Sequence, residues 1–406
     1  MMAPDTRRAR SGVRGWLVVA ALFTVVFSVS NPFAAFGVFL PVWAEAFGWS
    51  RGAISIAISI NLILGGVLGF AVGAIADRHG PRAPLVVTVL LGGAGFALAG
   101  TVTALWHLYL FVGVIAGAGF CGFYVIATTT VARWFEQRRG LALGVVLTGF
   151  NLGFMTGGPL AALAIEHLGW RLAYVVIGGG FGLIGVLASL IVTFPAPAPA
   201  RHAAVTEPTR LGGITLTEAL GERSFWSMGT AWLLQGAVLM TISVHVVPYV
   251  RDAGLSLERA AFGLTAYGIG AAVARLAVGS MADRFESRPA MHLCVAIQIV
   301  ALLTIVVRPS GALVLVALAA FGFGFAGADT IYVRAVPEVF GLKALGAITG
   351  IMSFGWRCGA ALGPTIAGYL HDATGSYSLP FGAAPVIIGG SYVLFLAGAR
   401  RARDRG

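Results

Sequence analysis

Charge is scarce in this chain: Asp, Glu, Lys and Arg make up 11% of its 406 residues, against 58% hydrophobic residues. Roughly a quarter of an average soluble chain is charged, so a water-soluble domain has no means of hiding this much apolar surface. Acidic residues are scarcer than basic ones, 16 against 27, and the net charge of +11 would suit nucleic acid if the basic residues formed a stripe with interleaved aromatics. They sit instead in the short gaps between apolar runs, which excludes that partner. There are three cysteines, Cys121, Cys294 and Cys358; each lies in an apolar run without metal-ligand spacing and reads as a small buried apolar residue. The sequence has no G-x-x-x-x-G-K-[ST] phosphate loop, no His/Cys metal cluster and no G-x-S-x-G nucleophile elbow. Direct ATP drive within the chain, a metal or other cofactor and the common hydrolase chemistries are not expected on those grounds. Gly117, Gly119 and Gly122 crowd one apolar run but follow no strand, so small-residue packing explains them.

What the chain has in abundance is long apolar runs. A membrane span needs about 20 largely apolar residues. Runs of that kind lie near 16–41, 52–75, 84–104, 108–131, 140–164 and 171–194, then near 225–249, 260–281, 289–307, 312–333, 344–370 and 380–399. The first follows Arg7, Arg8, Arg10 and Arg14 but is too long for a signal-peptide core, and is expected to be retained as a span. Placing the N-terminus in the cytoplasm puts about 20 basic residues on that side and about 5 on the other. Both termini are therefore expected inside a cell (inner) membrane crossed twelve times. Residues 195–222, with Pro195, Pro197, Pro199 and Pro208, form the longest polar interval. They are expected to be a cytoplasmic linker between a first six-helix bundle, 1–194, and a second, 223–406.

The second half repeats the first at an offset of about 206 positions. Gly73-Ala-Ile-Ala-Asp77-Arg78 lies over Gly279-Ser-Met-Ala-Asp283-Arg284. Gly149, Gly153 and Gly157 lie over Gly355, Gly359 and Gly363, and Gly48-Trp-Ser over Gly254-Leu-Ser. A duplicated bundle supplies two rigid halves able to rock about a central site, which is the mechanics of alternating access. Asp77 with Arg78, and Asp283 with Arg284, stand at helix ends where a carboxylate and an arginine can meet the helix dipole and a neighbouring half. They are candidates for a conformational latch, the alternative being a hydrophilic stop after each span.

With these residues in view, the chain resembles the major facilitator superfamily. Gly73-Ala-Ile-Ala-Asp77-Arg78-His-Gly80-Pro-Arg82 after the second span is similar to its loop signature, and Gly169-Trp170-Arg171 before the sixth span is similarly typical. Within that superfamily, the run from Trp134 through Glu136, Arg138, Arg139 and Gly140 to Gly149 resembles the fifth-span signature of the monocarboxylate transporter family. Ala274-Arg275-Leu-Ala-Val-Gly279 resembles its eighth span, whose arginine engages the substrate carboxylate. Two positions depart from the animal members. The first span carries Asn31-Pro32-Phe33 without their acidic-Gly signature, and Ala271 stands where they have an aspartate one turn before the arginine. Bacterial members and the related oxalate:formate antiporters are the nearer likeness, because they too have basic residues in the eighth and eleventh spans.

An ionisable side chain inside a span is costly and reads as functional by default. Arg275 lies about 12 Å along its helix from Asp283, and Arg357 about 21 Å from Lys343. The planar guanidinium fork matches a carboxylate, so Arg275 is the first candidate for anion recognition and Arg357 the second, the alternative being an internal ion pair. Asp329, at a depth similar to Arg275, is either a proton carrier or a fixed counter-ion. Tyr124, Asn151 and Gln235 are polar side chains at comparable depth that can donate hydrogen bonds to a substrate or to neighbouring helices. His245 is read as an interfacial residue near its span's outer end. These positions point to a secondary transporter of small organic anions, with a monocarboxylate moved together with a proton across the lipid bilayer. Carboxylate exchange, proton-driven efflux of a hydrophobic compound and a transport-like solute sensor are the competing readings.

Overall fold

The computed structural model describes residues 6–135, 139–195, 213–252, 254–284, 287–307, 312–341 and 343–403, and these are almost entirely helical. Helix α1 spans Thr6–Phe47, α2 Arg51–His79 and α3 Arg82–Leu98. A broken fourth segment comprises α4 (Leu105–Leu108), a π-helical stretch Tyr109–Ile115, α5 (Ala116–Phe120) and α6 (Phe123–Trp134). Helix α7, Arg139–Ser189, is two spans joined at Gly169, whose φ of 72° and ψ of 156° interrupt the helix. After the short α8 (Leu216–Gly221) come α9 (Arg223–Asp252), α10 (Leu257–Arg284), α11 (Ser287–Val306), α12 (Ala312–Phe340), α13 (Leu345–Thr374) and α14 (Ser378–Arg403). Among the described residues no strand forms; a single isolated bridge pairs Gly213 with Gly341.

Nine helical stretches among the described residues are long and apolar enough to cross a membrane. One of them, Leu141–Ser189, holds the two spans on either side of Gly169. Helices α10 and α13, 28 and 30 residues long, supply the two further spans and carry Arg275 and Arg357. Twelve spans result, as the apolar runs predict. The fourth is not the continuous helix expected over 108–131: it starts at Leu105, passes through seven residues of π-helix and breaks at Cys121 and Gly122. Residues Gly117, Gly119 and Gly122 lie on that stretch, and a Cβ on Gly117 would stand 2.9 Å from the backbone of Asn61 on α2. Close helix approach through glycine is the reason for the crowding.

The repeat is built into the backbone as well as the sequence. Gly48 and Gly254, at equivalent positions in the two halves, have φ of 67° and 92°; Gly169 and Gly375 have φ of 72° and 67°. Left-handed backbone of this kind strains any residue with a Cβ, so glycine recurs where each half turns between the same two spans. Contacts divide the chain into two compact units. The first is Met1–Val42 with Ile60–Pro197, and the second is Trp43–Ser59 with Ala198–Gly406. In the first, Gly149, Gly153 and Gly157 on α7 lie against Phe23, Phe27 and Asn31 of α1. In the second, Gly355, Gly359 and Gly363 on α13 lie against Gly229, Leu233 and Ala237 of α9. Each contact partner is displaced by the same offset as its glycine.

The short α8, outside the spans, packs within the second unit. Ile214 donates its backbone N–H to the Phe340 carbonyl at 3.1 Å. A capping box closes the helix: Glu218 N–H donates to Thr215 Oγ1 at 3.3 Å, and Thr215 N–H donates to Glu218 Oε2 at 2.6 Å. The bond from the Thr215 backbone holds the Glu218 carboxyl below its ordinary range. A carboxyl depressed by folding stabilises above its unfolded range, and that contribution is lost as pH falls through the depressed value. Thr215→Ala removes one of the two bonds, at about 1 kcal/mol. Amide exchange across Leu216–Gly221 is expected to accelerate about fivefold in that variant, while the spans keep their protection.

Candidate functional site

Small residues bring α10 and α12 together. Ala271, Ala274 and Ala326 form a buried cluster with Tyr267 and Phe323 packed against it, and Gly270 and Gly322 each lie against backbone of the opposing helix, at Ala319 and Tyr267. Arg275 follows Ala271 by one helical turn and Asp329 follows Ala326 by almost one turn, so the close approach carries the two charged side chains to each other. Arg275 Nη2 lies 3.6 Å from Asp329 Oδ2, and Trp232 of α9 donates its indole N–H to Asp329 Oδ1 at 3.2 Å. The carboxylate beside this arginine thus comes from the facing helix, while the position one turn before it on α10 is the buried Ala271.

The pair is not sealed. Arg275's side chain remains 38% exposed against 19% for Asp329. Its Nε is buried without a hydrogen-bond partner among the described residues, and 3.6 Å is too long for a charge-assisted hydrogen bond. Asp329 has an acceptor's contact with Trp232 and a loose ionic one with Arg275, which is the arrangement of a counter-ion holding a cation that has donors to spare. The contact places the Asp329 carboxyl beside Arg275, a position that serves a fixed counter-ion and a proton carrier alike.

The other sequence candidates are distributed over both units. In the second unit Gln235 lies on α9, one turn from Trp232, and is buried with neither amide atom hydrogen-bonded among the described residues. Arg357 is half-buried on α13, beside Trp356, whose carbonyl and indole pack on Gly236. In the first unit Tyr124 lies on α6 with 46% of its surface exposed, and Asn151 is buried on α7. Arg275 and Asp329 are joined by a direct ionic contact. Arg78 is exposed in the last turn of α2; the side chains of Asp77, Asp283 and Arg284 lie outside the described residues.

Two motifs acquire definite structural roles. In Gly169-Trp170-Arg171, Arg171 Nη1 donates to the carbonyls of Gly100 and Val102 at 3.3 and 3.1 Å, and its guanidinium stacks on Trp170 at 4.4 Å. The motif staples the end of α3 to the bend in α7. In the first unit Asn31 Nδ2 donates to Thr156 Oγ1 at 2.9 Å, tying the α1 segment before Pro32 to α7.

His245 requires a correction. It is not an interfacial residue: it is fully buried, hydrogen-bonded to Tyr377, Pro364 and Ser55. Its neighbours reach it from sequence distances that the local pattern does not register. Trp232 is likewise a site residue that sequence reasoning missed. Its one signal is an indole in mid-span, three residues before Gln235, where an interfacial belt does not place tryptophan.

Comparison with known proteins agrees with this architecture. The chain is 28% identical over 385 residues to monocarboxylate transporter 13 of Rattus norvegicus, covering 94% of this chain and 86% of the relative. It is 27% identical over 408 residues to monocarboxylate transporter 11 of Homo sapiens, covering 97% and 84%. Among solved structures, a nucleoside transporter, NupG, superposes with a TM-score of 0.75 at 15% identity over 94% of this chain and 98% of its own. A bacterial homologue of the human lysosomal transporter Spinster superposes with a TM-score of 0.71 at 15% identity over 96% and 94%. The sequence pattern described as Major Facilitator Superfamily matches residues 22–266 and 246–405. With twelve spans, a duplicated six-span plan and that match over nearly the whole chain, this is a transporter, not an enzyme, and it belongs to the major facilitator superfamily.

Proposed function

We propose that the chain is a secondary active transporter that moves a small monocarboxylate together with a proton by alternating access. The observation that carries this reading is the loose Arg275–Asp329 pair, 3.6 Å apart between two apolar helices. An ionised Asp329 holds the guanidinium when no anion is bound. A proton on Asp329 removes that hold and leaves Arg275 as a cation with an unused fork, to which a substrate carboxylate binds in bidentate fashion. Proton and anion then enter together, and neither alone leaves the pair neutral. Similarity to monocarboxylate transporters supports the substrate class. The asymmetry of basic residues supports cytoplasmic termini in a cell membrane, and Asp77, Arg78, Asp283 and Arg284 are the helix-end charges proposed to trade partners between conformations.

Uptake of radiolabelled lactate or pyruvate into proteoliposomes under an imposed inward proton gradient tests the proposal. Uptake is expected to rise with the gradient and to collapse with an ionophore. Uptake that depends only on a trapped carboxylate, with no response to the gradient, would sink the coupling to protons. Asp329→Asn fixes the site in its neutral form. Stimulation by the proton gradient is expected to vanish in that variant, while counterflow of labelled carboxylate against unlabelled carboxylate persists.

A further inference from the structure

The second unit contains a second cluster of ionisable side chains, remote in sequence from Arg275 and Asp329 and unused by the carboxylate site. It gathers around the turn between α1 and α2. Trp43–Ser59 belongs by its contacts with α9–α14, although both helices continue into the first unit. Asp372, in the last turn of α13, accepts the backbone N–H groups of Arg51 at 3.0 Å and Gly52 at 2.8 Å, capping α2 with a remote carboxylate. Arg51 grips Asp252 of α9 with both terminal nitrogens at 2.6 and 2.9 Å, and its guanidinium lies 5.4 Å from the Tyr377 ring centre. Arg251 pairs with Glu45 at 2.9 Å. Gly52 and Gly368 permit the approach: a Cβ on Gly368 would stand 2.6 Å from the Gly52 Cα.

His245 lies beneath this clasp. Its Nε2 is 2.8 Å from the Pro364 carbonyl, which only accepts, so Nε2 carries the proton; Tyr377 O–H then donates to Nδ1 at 2.8 Å. Among the described residues, charged and titratable groups come to the neighbourhood of the imidazole from α2, α9, α13 and the turn before α14. Arg51 comes from α2, with the Ser55 hydroxyl 3.3 Å from Nε2; Asp252 from α9; His371 and Asp372 from α13; and Tyr377 from the turn before α14. His371 stands between the two carboxylates, 3.6 Å from Asp252 and 3.8 Å from Asp372. In the neutral state the two carboxylates are matched by Arg51 and by the positive end of α2. A proton on Nδ1 reverses the Tyr377 bond, turning the hydroxyl toward the Arg51 cation, and adds an unmatched positive charge where no water reaches.

We infer that His245 is a proton-accepting site whose occupancy opens the clasp, so that Trp43–Ser59 is held by α9, α13 and Tyr377 when His245 is neutral and detaches when it is charged. The inference stands on unit 2 alone and does not depend on the carboxylate reading, since its test uses no substrate.

Nitroxide labels at Glu45→Cys and Arg251→Cys, with Cys121, Cys294 and Cys358 replaced by Ala, report the clasp by dipolar broadening. The labels are attached once, and spectra are recorded at about pH 8 and about pH 5.5, a window that brackets the titration of a histidine released to water. Broadening is expected at the higher pH and at least about a twofold loss at the lower. His245→Gln keeps one donor and one acceptor but cannot titrate, and broadening is expected to survive acid. Should that variant fold poorly, His245→Phe replaces it, because Phe39 occupies the equivalent position of the first repeat. Asp372→Asn is expected to lose broadening already at the higher pH. A wild-type spectrum unchanged by pH, an acid response that persists in the folded His245 variant, or full broadening in Asp372→Asn would each overturn the inference.

Discussion

Arg275→Ala is expected to lower the initial rate of labelled monocarboxylate uptake by about a hundredfold. Truncating one side of the desolvated, hydrogen-bonded charge pair that Arg275 forms with a bound carboxylate costs about 3 kcal/mol, and each 1.4 kcal/mol is a factor of ten. The effect is the loss of a bidentate contact, so Arg275→Lys, which keeps a point charge without the fork, is expected to fall between the two. A competing account assigns the Arg275–Asp329 pair to helix packing, since it joins α10 to α12 beside the alanine cluster. The double variant Arg275→Leu with Asp329→Leu separates the accounts. Buried ion pairs are often replaced by apolar residues with no loss of stability. The double variant is therefore expected to be folded, as monodispersity and thermal unfolding report, and inactive. A folded double variant that transports at the wild-type rate would assign the pair to packing and remove Arg275 from substrate recognition.

The fold was legible in the sequence wherever length and composition decide the outcome. Apolar runs of about 20 residues have one stable form in a bilayer, the helix. The glycine registers at 149, 153 and 157 and at 355, 359 and 363 foretold where helices approach. The depth of Arg275 and Asp329 was readable from rise per residue, and the two do meet. Three features were beyond that reach for identifiable reasons. The π-helical Tyr109–Ile115 and the break after Phe120 lie within one apolar run, where hydropathy is blind to a change in helical period. The indole of Trp232 reaches Asp329 across 97 residues of sequence. His245 takes its three partners from 119, 132 and 190 residues away, on segments whose adjacency no local pattern encodes. Position along a span gives depth; it does not give the direction in which a side chain points, and His245 differs from an interfacial histidine in direction alone.

The same repeat supplies a test in which two equivalent substitutions have opposite outcomes. Gly149 and Gly355 occupy the same place in the two halves, each facing a carbonyl of the first span of its half. A Cβ on Gly149 would stand 2.5 Å from the Phe23 oxygen and 3.2 Å from the Phe27 nitrogen, whereas a Cβ on Gly355 would stand 4.0 Å from the Gly229 oxygen. Backbone atoms in packed helices do not swing aside as a flexible side chain does. Gly149→Ala must therefore push α1 and α7 apart, an overpacking cost of about 1–3 kcal/mol. Gly355→Ala fills open space and gains about 1 kcal/mol of helix propensity. Thermal unfolding in detergent is expected to fall by several degrees for Gly149→Ala and to hold or rise for Gly355→Ala, at about 2–4 °C per kcal/mol. Two turns further along, where Gly157 meets Asn31 and Gly363 meets Ala237, both halves are tight, and alanine is expected to destabilise at both. Equal effects of Gly149→Ala and Gly355→Ala would mean that the helices relax freely. The close packing that orients Arg275 toward Asp329 would then not follow from glycine and alanine placement.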